Sequence, residues 1–356
     1  IGAMYLEPDG NLLGPESLVR QLLFGKRFIR EEFGIYAETC WLPDVFGVMY
    51  TLPQILQKAG VKYFTTAKLN IWNDTNVFPY DTFRWRGPDG SEVIAHFPPT
   101  HFAQGYEVDN LRRHWRDFRE KHITGENLFV YGYGDGGGGP TREMVEGSQR
   151  SHNFPGLPET KIEFAEEFFR RQADMADKLP VWDDELYLEA HRGTYTTKAS
   201  LKRSNRKVEL LYRDAEIISS MAWLCGAPRA QEILNEGWKH ILLNQFHDTL
   251  PGTHKPACVS DIERDYQVAF AIGEDVRNKA MTFIMEHLDV ESDPPCDLLL
   301  FNTLSRERSA LDDEAHNPQP STIQYDGPEL QPIQHYNGRT WVNVPAQPSK
   351  GWSVAT

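Results

Sequence analysis

Three stretches of the sequence set chemically able side chains where chain geometry tends to expose them. Asp44 lies in Trp41-Leu42-Pro43-Asp44-Val45-Phe46-Gly47, after an apolar run of strand type and before a helical one, which is where α/β folds present reacting groups. A post-strand aspartate is also a common helix N-cap, but the flanking aromatics suit a walled carboxylate, with Trp41 able to stack on a sugar. Asp135 lies in Tyr133-Gly134-Asp135-Gly136-Gly137-Gly138-Gly139-Pro140. Glycines permit close backbone approach to a ligand, and the carboxylate suits general acid/base work. The run lacks the Lys-Ser/Thr ending of a phosphate loop and the GxGxxG of a dinucleotide loop, so a solvated turn is the other reading. His247 and Asp248 lie in Asn244-Gln245-Phe246-His247-Asp248, where a His nitrogen and a carboxylate together suit zinc and a substrate hydroxyl. His240, Asn244 and His247 fall at i, i+4 and i+7, which predicts one shared helical face. Two carboxylates and a histidine on separate elements fit a zinc-assisted glycosidase and a zinc amide or ester hydrolase equally well.

The elements that must position these groups follow from periodicity. Residues 35–41 read as a strand, Leu52 to Lys58 as a helix stopped by Gly60, and Val61 to Thr66 as the next strand, which makes one βαβ unit. Thr82 to Arg86 and Glu92 to Phe97 flank Gly87-Pro88-Asp89-Gly90 and predict a hairpin. Helix is expected over Val108 to Lys121 and Lys161 to Ala176, and strand over Asn127 to Tyr131 and Glu185 to Glu189. From Thr197 the text turns helical: Lys198 to Cys225, Ala230 to His247 and Val259 to Leu288, with Pro/Gly joints that suggest a three-helix bundle. Short strand-like pieces follow at Asp297 to Phe301, Thr322 to Tyr325 and Trp341 to Val344.

Composition narrows the function classes. The chain has 356 residues, 40% hydrophobic and 25% charged, in the range of globular proteins and long enough for more than one domain. Its formal charge of −14 repels phosphate backbones and anionic lipid, so nucleic acid is not an expected partner. No apolar run is long enough to span a bilayer, so no membrane partner is expected either. The four cysteines lie far apart with no CxxC spacing, which suggests neither a zinc ribbon nor a disulfide framework.

Taken together and in order, these motifs resemble the α-mannosidases of glycoside hydrolase family 38, in wording closest to the cytosolic, vacuolar or bacterial branch. Glu7-Pro8-Asp9-Gly10-Asn11, Lys68 to Asn73, Leu186 to Tyr195 and Phe301 to Ser305 add to the likeness. The resemblance implies a zinc-dependent retaining hydrolysis of terminal α-mannosyl residues of oligosaccharides, cobalt being the alternative metal. It implies Asp44 as nucleophile and zinc ligand, His247 as a helix-borne ligand, Asp135 as acid/base, and Trp41, Asp248 and Lys68 near the sugar. It also implies two further ligands from a His-x-Asp pair expected upstream of Ile1; His287-Leu288-Asp289 is only a coincidence of letters. With two ligands in hand, the segment alone is expected to bind zinc weakly and hydrolyse little. The expected architecture is the later part of a barrel-like α/β catalytic domain (1–195), a three-helix middle domain (196–292) and the start of a β-sandwich (293–356). A cytoplasmic or vacuolar location is expected, with homo-oligomers open. A zinc-dependent polysaccharide deacetylase and a non-catalytic carbohydrate-binding fragment are the alternatives.

Overall fold

A computed structural model describes residues 2–287 apart from residue 136, residues 301–305, and the backbone of 298–300, 308–313, 333–336, 339–347 and 352–355. In chain order the elements are α1 (Pro15–Phe33), β1 (Thr39–Trp41), α2 (Leu52–Lys58), β2 (Tyr63–Thr65), α3 (Lys68–Ile71), β3 (Thr82–Arg86) and β4 (Glu92–His96). There follow α4 (Val108–Asp117), α5 (Lys121–Thr124), α6 (Arg142–Arg150), α7 (Ala165–Ala173) and β5 (Val181–Trp182). The long helices α8 (Ala199–Leu224), α9 (Gln231–Leu243) and α10 (Val259–His287) precede β6 (Leu298–Phe301), β7 (Arg308–Asp313), β8 (Ile333–Tyr336), β9 (Arg339–Gln347) and β10 (Trp352–Ala355). They form two compact units, residues 1–209 with 239–266 and residues 210–238 with 267–356.

The first unit is built on a five-stranded mixed sheet in the order β1-β2-β4-β3-β5. β1 and β2 run parallel around α2, and β3 and β4 form the antiparallel hairpin, both as expected. Its apolar residues alternate into a core in which Cys40, Phe64, Phe83, Trp85 and Ala95 are fully buried. Each large side chain buried there contributes about 1.5–3 kcal/mol. Helix α1, to which the sequence reading assigns no element, starts at Gly14-Pro15 and ends at Gly34, whose φ of 70° closes the last turn. Leu18, Leu22, Gly25 and Ile29 give it a buried stripe at spacings of three and four. Gly25 lies against the backbone of Met4 and Tyr5 so closely that an added Cβ would sit 2.2 Å from Met4 C.

Several expected elements differ, and in the two expected strands that are missing, side chains take the backbone's hydrogen bonds. Asn127–Tyr131 is not a strand: the carbonyl of Leu128 accepts from His114 Nε2 at 3.1 Å, and that of Val130 from Gln104 Nε2 at 3.2 Å. Glu185–Glu189 is not a strand either. Only Leu186 pairs, exchanging both bonds with Val48; Asn73 then holds Tyr187 O and Glu189 N at 2.9 and 2.8 Å. Residues 35–38 precede the short β1. The helix expected over Val108 to Lys121 breaks at Phe118, where the chain turns extended.

In the second unit Tyr212 and Trp238 pack edge to face at 5.3 Å, and the Tyr212 hydroxyl donates to Ala269 O at 2.9 Å. Gly237 makes room for that phenol, since a Cβ there would meet the Tyr212 oxygen at 1.6 Å. Three helical segments thus pack around one aromatic pair, joined by an apolar cluster of Ile218, Ala222, Ala280 and Ile284. Strands β6 and β10 pair antiparallel, as do β7, β9 and β8 in that order. The strand expected at Trp341 to Val344 lies within β9; Thr322 to Tyr325 and the pair Leu288-Asp289 lie outside the described residues. Among the described residues no helix is long and apolar enough to cross a membrane.

Candidate active site and metal centre

The site is assembled where four loops of the first unit converge. After β1 the chain is held to the end of β2: Leu42 N donates to Thr65 O at 3.0 Å and Ala67 N to Pro43 O at 3.2 Å. That pairing sets Asp44 beside Lys68, the first residue of α3, whose ammonium donates to Asp44 Oδ1 at 2.5 Å. Lys68 is buried, and its Nζ lies 4.3 Å from the Trp72 ring centroid and 5.6 Å from that of Phe46. Past Asp44 the chain turns through Gly47 at φ 88°, where an added Cβ would stand 2.8 Å from Leu186 O. Gly10 approaches from the other side, its own virtual Cβ 2.5 Å from Gly47 O. The two glycines therefore let the Glu7–Asn11 and Trp41–Gly47 segments touch backbone to backbone.

The fourth loop brings His247, and here the sequence expectation needs correcting. Helix α9 ends at Leu243, so His247 is not helix-borne and does not share a face with His240 and Asn244. Those two both reach Asp265, at 3.0 and 3.2 Å, whereas His247 N donates to Glu7 O at 3.0 Å. The turn is drawn away by Gln245, which is fully buried. Its amide donates to Ser17 Oγ, Asn205 Oδ1 and Glu209 Oε1 at 2.9, 3.0 and 3.2 Å and accepts from Gln21 Nε2 at 3.2 Å.

The outcome is a cluster of Glu7, Asp44 and His247 in which one ligand atom from each lies within 4.8 Å of the others. Glu7 was not among the expected ligands. A local signal exists: in Glu7-Pro8-Asp9-Gly10-Asn11 the aspartate is consumed by the turn, accepting from Asn11 N and Leu12 N at 2.8 and 2.6 Å, which leaves the glutamate as the free carboxylate. Burial and the neighbouring Asp44 charge push the Glu7 carboxyl up to about 7, with Lys68 pulling against them. Burial also raises Asp9, opposed by its two backbone donors.

Two carboxylate oxygens and one imidazole nitrogen make a donor set that suits zinc with a position left open. His247 Nδ1 lies 3.1 Å from Glu7 O, to which its N–H donates, so Nε2 is the ring nitrogen left for a metal, the orientation found in metal-ligating histidines. The residues present therefore fit a divalent metal of zinc type.

The other expected site residues lie around this cluster or apart from it. Asp248 is half exposed; its Oδ1 accepts from the Thr253 hydroxyl at 2.5 Å and its Oδ2 stands 3.8 Å from His247 Nε2. Trp41 is half-buried, and together with Glu7 it lines a small cavity of about 160 Å³. Asp135 sits exposed at φ 50° on a loop pinned at its neck by Tyr133 and Gly139, which exchange hydrogen bonds of 2.9 and 2.5 Å. It is not in the three-residue cluster. His191, absent from the expected set, adopts φ 68° and places its ring 4.7 Å from Phe46 and 5.1 Å from Trp72. Burial and Lys68 lower its pKa while Asp248 opposes them.

Comparison with known proteins shows the family. Residues 1–185 match the profile "Glycosyl hydrolases family 38 N-terminal domain" and residues 189–284 match "Alpha mannosidase middle domain". The chain is 39% identical over 320 residues to Alpha-mannosidase 2C1 of Mus musculus, covering 87% of this chain and 30% of that protein. It is 38% identical over 268 residues to Alpha-mannosidase of Saccharomyces cerevisiae, covering 71% of this chain and 24% of that protein. The chain thus spans less than a third of either relative. A crystal structure of an alpha-mannosidase from Enterococcus faecalis V583 superimposes over 100% of this chain and 47% of its own, with a TM-score of 0.78 at 16% identity, and so shares its fold. The chain belongs to glycosyl hydrolase family 38.

Proposed function

We propose that this chain serves a retaining α-mannosidase that removes terminal α-mannosyl residues from oligosaccharides, with Asp44 as both nucleophile and metal ligand. The observation that carries the reading is the convergence of Glu7, Asp44 and His247 within 4.8 Å, with Lys68 on one oxygen of Asp44. Glu7, Asp44 and His247 would hold the ion, which would polarise adjacent sugar hydroxyls and favour distortion toward an oxocarbenium-like geometry. Lys68, bonded to Asp44 Oδ1, fixes which oxygen faces the anomeric carbon. That oxygen attacks as the glycosidic bond breaks, and Asp135, on its glycine loop, gives its proton to the leaving oxygen. Asp135 then takes a proton from water, which releases mannose from Asp44 with retained configuration. Trp41 and Asp248 would contact the sugar.

In this reading residues 1–195 are the later part of a barrel-like catalytic domain, 196–292 the middle domain and 293–356 the start of a β-sandwich. The free thiols of Cys40, Cys225 and Cys258 suit a cytoplasmic or vacuolar setting. Incubation with an activated fluoro-α-mannoside, with and without zinc, tests the reading by peptide mass spectrometry. A zinc-dependent mannosyl adduct on the peptide bearing Asp44 supports it. An adduct on another carboxylate, or release of acetate from an acetylated sugar with its glycosidic bonds intact, overturns it.

A further inference from the structure

Apart from the Glu7–Asp44–His247 cluster and the Asp135 loop, the first unit contains a cavity of about 630 Å³ between α4, residues 125–131 and the extended segment 158–163. It shares no residue with either. We propose that this cavity is a second binding site, for a neutral saccharide. Its volume is within the range of small-molecule sites.

The lining selects the ligand class by elimination. Tyr106, Trp115 and Phe129 supply aromatic surface, and the first and last of these pack edge to face at 5.7 Å, which fixes the wall. Asn127 and Glu159 supply acceptors, and Thr160, which accepts from the Tyr106 hydroxyl, a hydroxyl hydrogen, while the Glu126 carboxylate is taken up by Arg171 and Gln172. The two lining cations are both engaged: Arg171 bonds Glu126 at 2.9 Å and also reaches Glu163, while Lys161 pairs with Glu163 at 3.0 Å. Three carboxylates against two paired cations disfavour a phosphate or an acidic sugar. His114, held neutral by burial at a pKa of about 4, adds no positive charge near pH 7. A purely apolar ligand would leave the Asn127 amide oxygen and the Thr160 hydroxyl hydrogen without water, at a cost for each. A pyranose satisfies both sets at once, since its C–H face lies on aromatic rings while its hydroxyls donate to Glu159 and the Asn127 amide oxygen and accept from the Thr160 hydroxyl.

Titration calorimetry with an α-linked mannobiose, read in the Asp44→Asn background where the proposed nucleophile is gone and turnover adds no heat, tests this apart from the catalytic reading. Binding is expected in the unmodified protein and in Asp44→Asn, and it should weaken at least about tenfold in the double variant Trp115→Ala, Asn127→Ala. Glu159→Arg, at an exposed position that leaves the interior untouched, should weaken it too, and so covers the case in which the double variant misfolds. Absence of binding, binding unchanged in both cavity variants, binding lost only in Asp44→Asn, or preference for inorganic phosphate over mannobiose would each overturn the proposal.

Discussion

The backbone N–H of His247 donates to the carbonyl of Glu7 at 3.0 Å, and one step along, Asp9 N donates to Gln245 O at 2.9 Å. This two-rung antiparallel bridge, centred on Pro8 and Phe246, joins segments far apart in sequence. It brings two of the three candidate metal ligands together through main chain alone, so the site's geometry depends on whatever anchors each rung.

Gln245 is the anchor on one side. Replacing it with Ala removes the donor shared by Ser17, Asn205 and Glu209 and takes from the buried Asn205 Oδ1 its Gln245 donor, while Ser17 and Glu209 keep each other. We expect destabilisation of about 2–4 kcal/mol in urea unfolding. Zinc affinity should fall as well, although Gln245 itself would never touch the ion; unchanged affinity in the folded fraction would separate fold from site.

Gly47→Ala is expected to destabilise by about 1–3 kcal/mol, because φ is 88° there and the new methyl meets Leu186 O. The strain lands three residues from Asp44, so metal binding should weaken in parallel with the thermal midpoint.

Little of this bridge could be read from residue types. The βαβ unit, the hairpin and the long helices announce themselves through periodicity and through Gly60 and Gly87-Pro88-Asp89-Gly90, because those signals are local. Asp44 and His247 were legible as candidates for the same reason, each beside a glycine or aromatic run. Glu7 was not, since its meaning depends on a partner 240 positions away and on Asp9 being spent on a turn. The false strand at Asn127–Tyr131 shows the converse: an apolar run of strand type loses its ladder when Gln104 and His114 supply the bonds instead.

The pH dependence of the metal-free protein follows from Glu7. Its folded pKa, about 7, stands above the ordinary 4.5, so the native state holds a proton that the unfolded chain releases. Stability contributed by this group should therefore fall as pH rises from 4.5 through 7 and then level off. Glu7→Gln should flatten that slope in thermal melts, and zinc, which competes with the same proton, should bind more tightly over the same interval in the unmodified protein.

Lys68→Met removes the only cation bonded to Asp44 among the described contacts. Leaving Asp44 and Glu7 facing each other without it should slow turnover of an aryl α-mannoside by roughly 10²-fold or more, with a smaller change in KM. Lys68→Arg should recover part of the loss, and equal losses in both variants would count against a purely electrostatic role.

The most direct measurement is zinc stoichiometry and affinity, by metal analysis and competition titration, in the unmodified protein and in Glu7→Gln, Asp44→Asn and His247→Ala. One ion per chain, with affinity reduced at least about tenfold by each single substitution, is the predicted result. Affinity unchanged in Asp44→Asn, or lost in none of the three, would contradict a metal centre at this convergence.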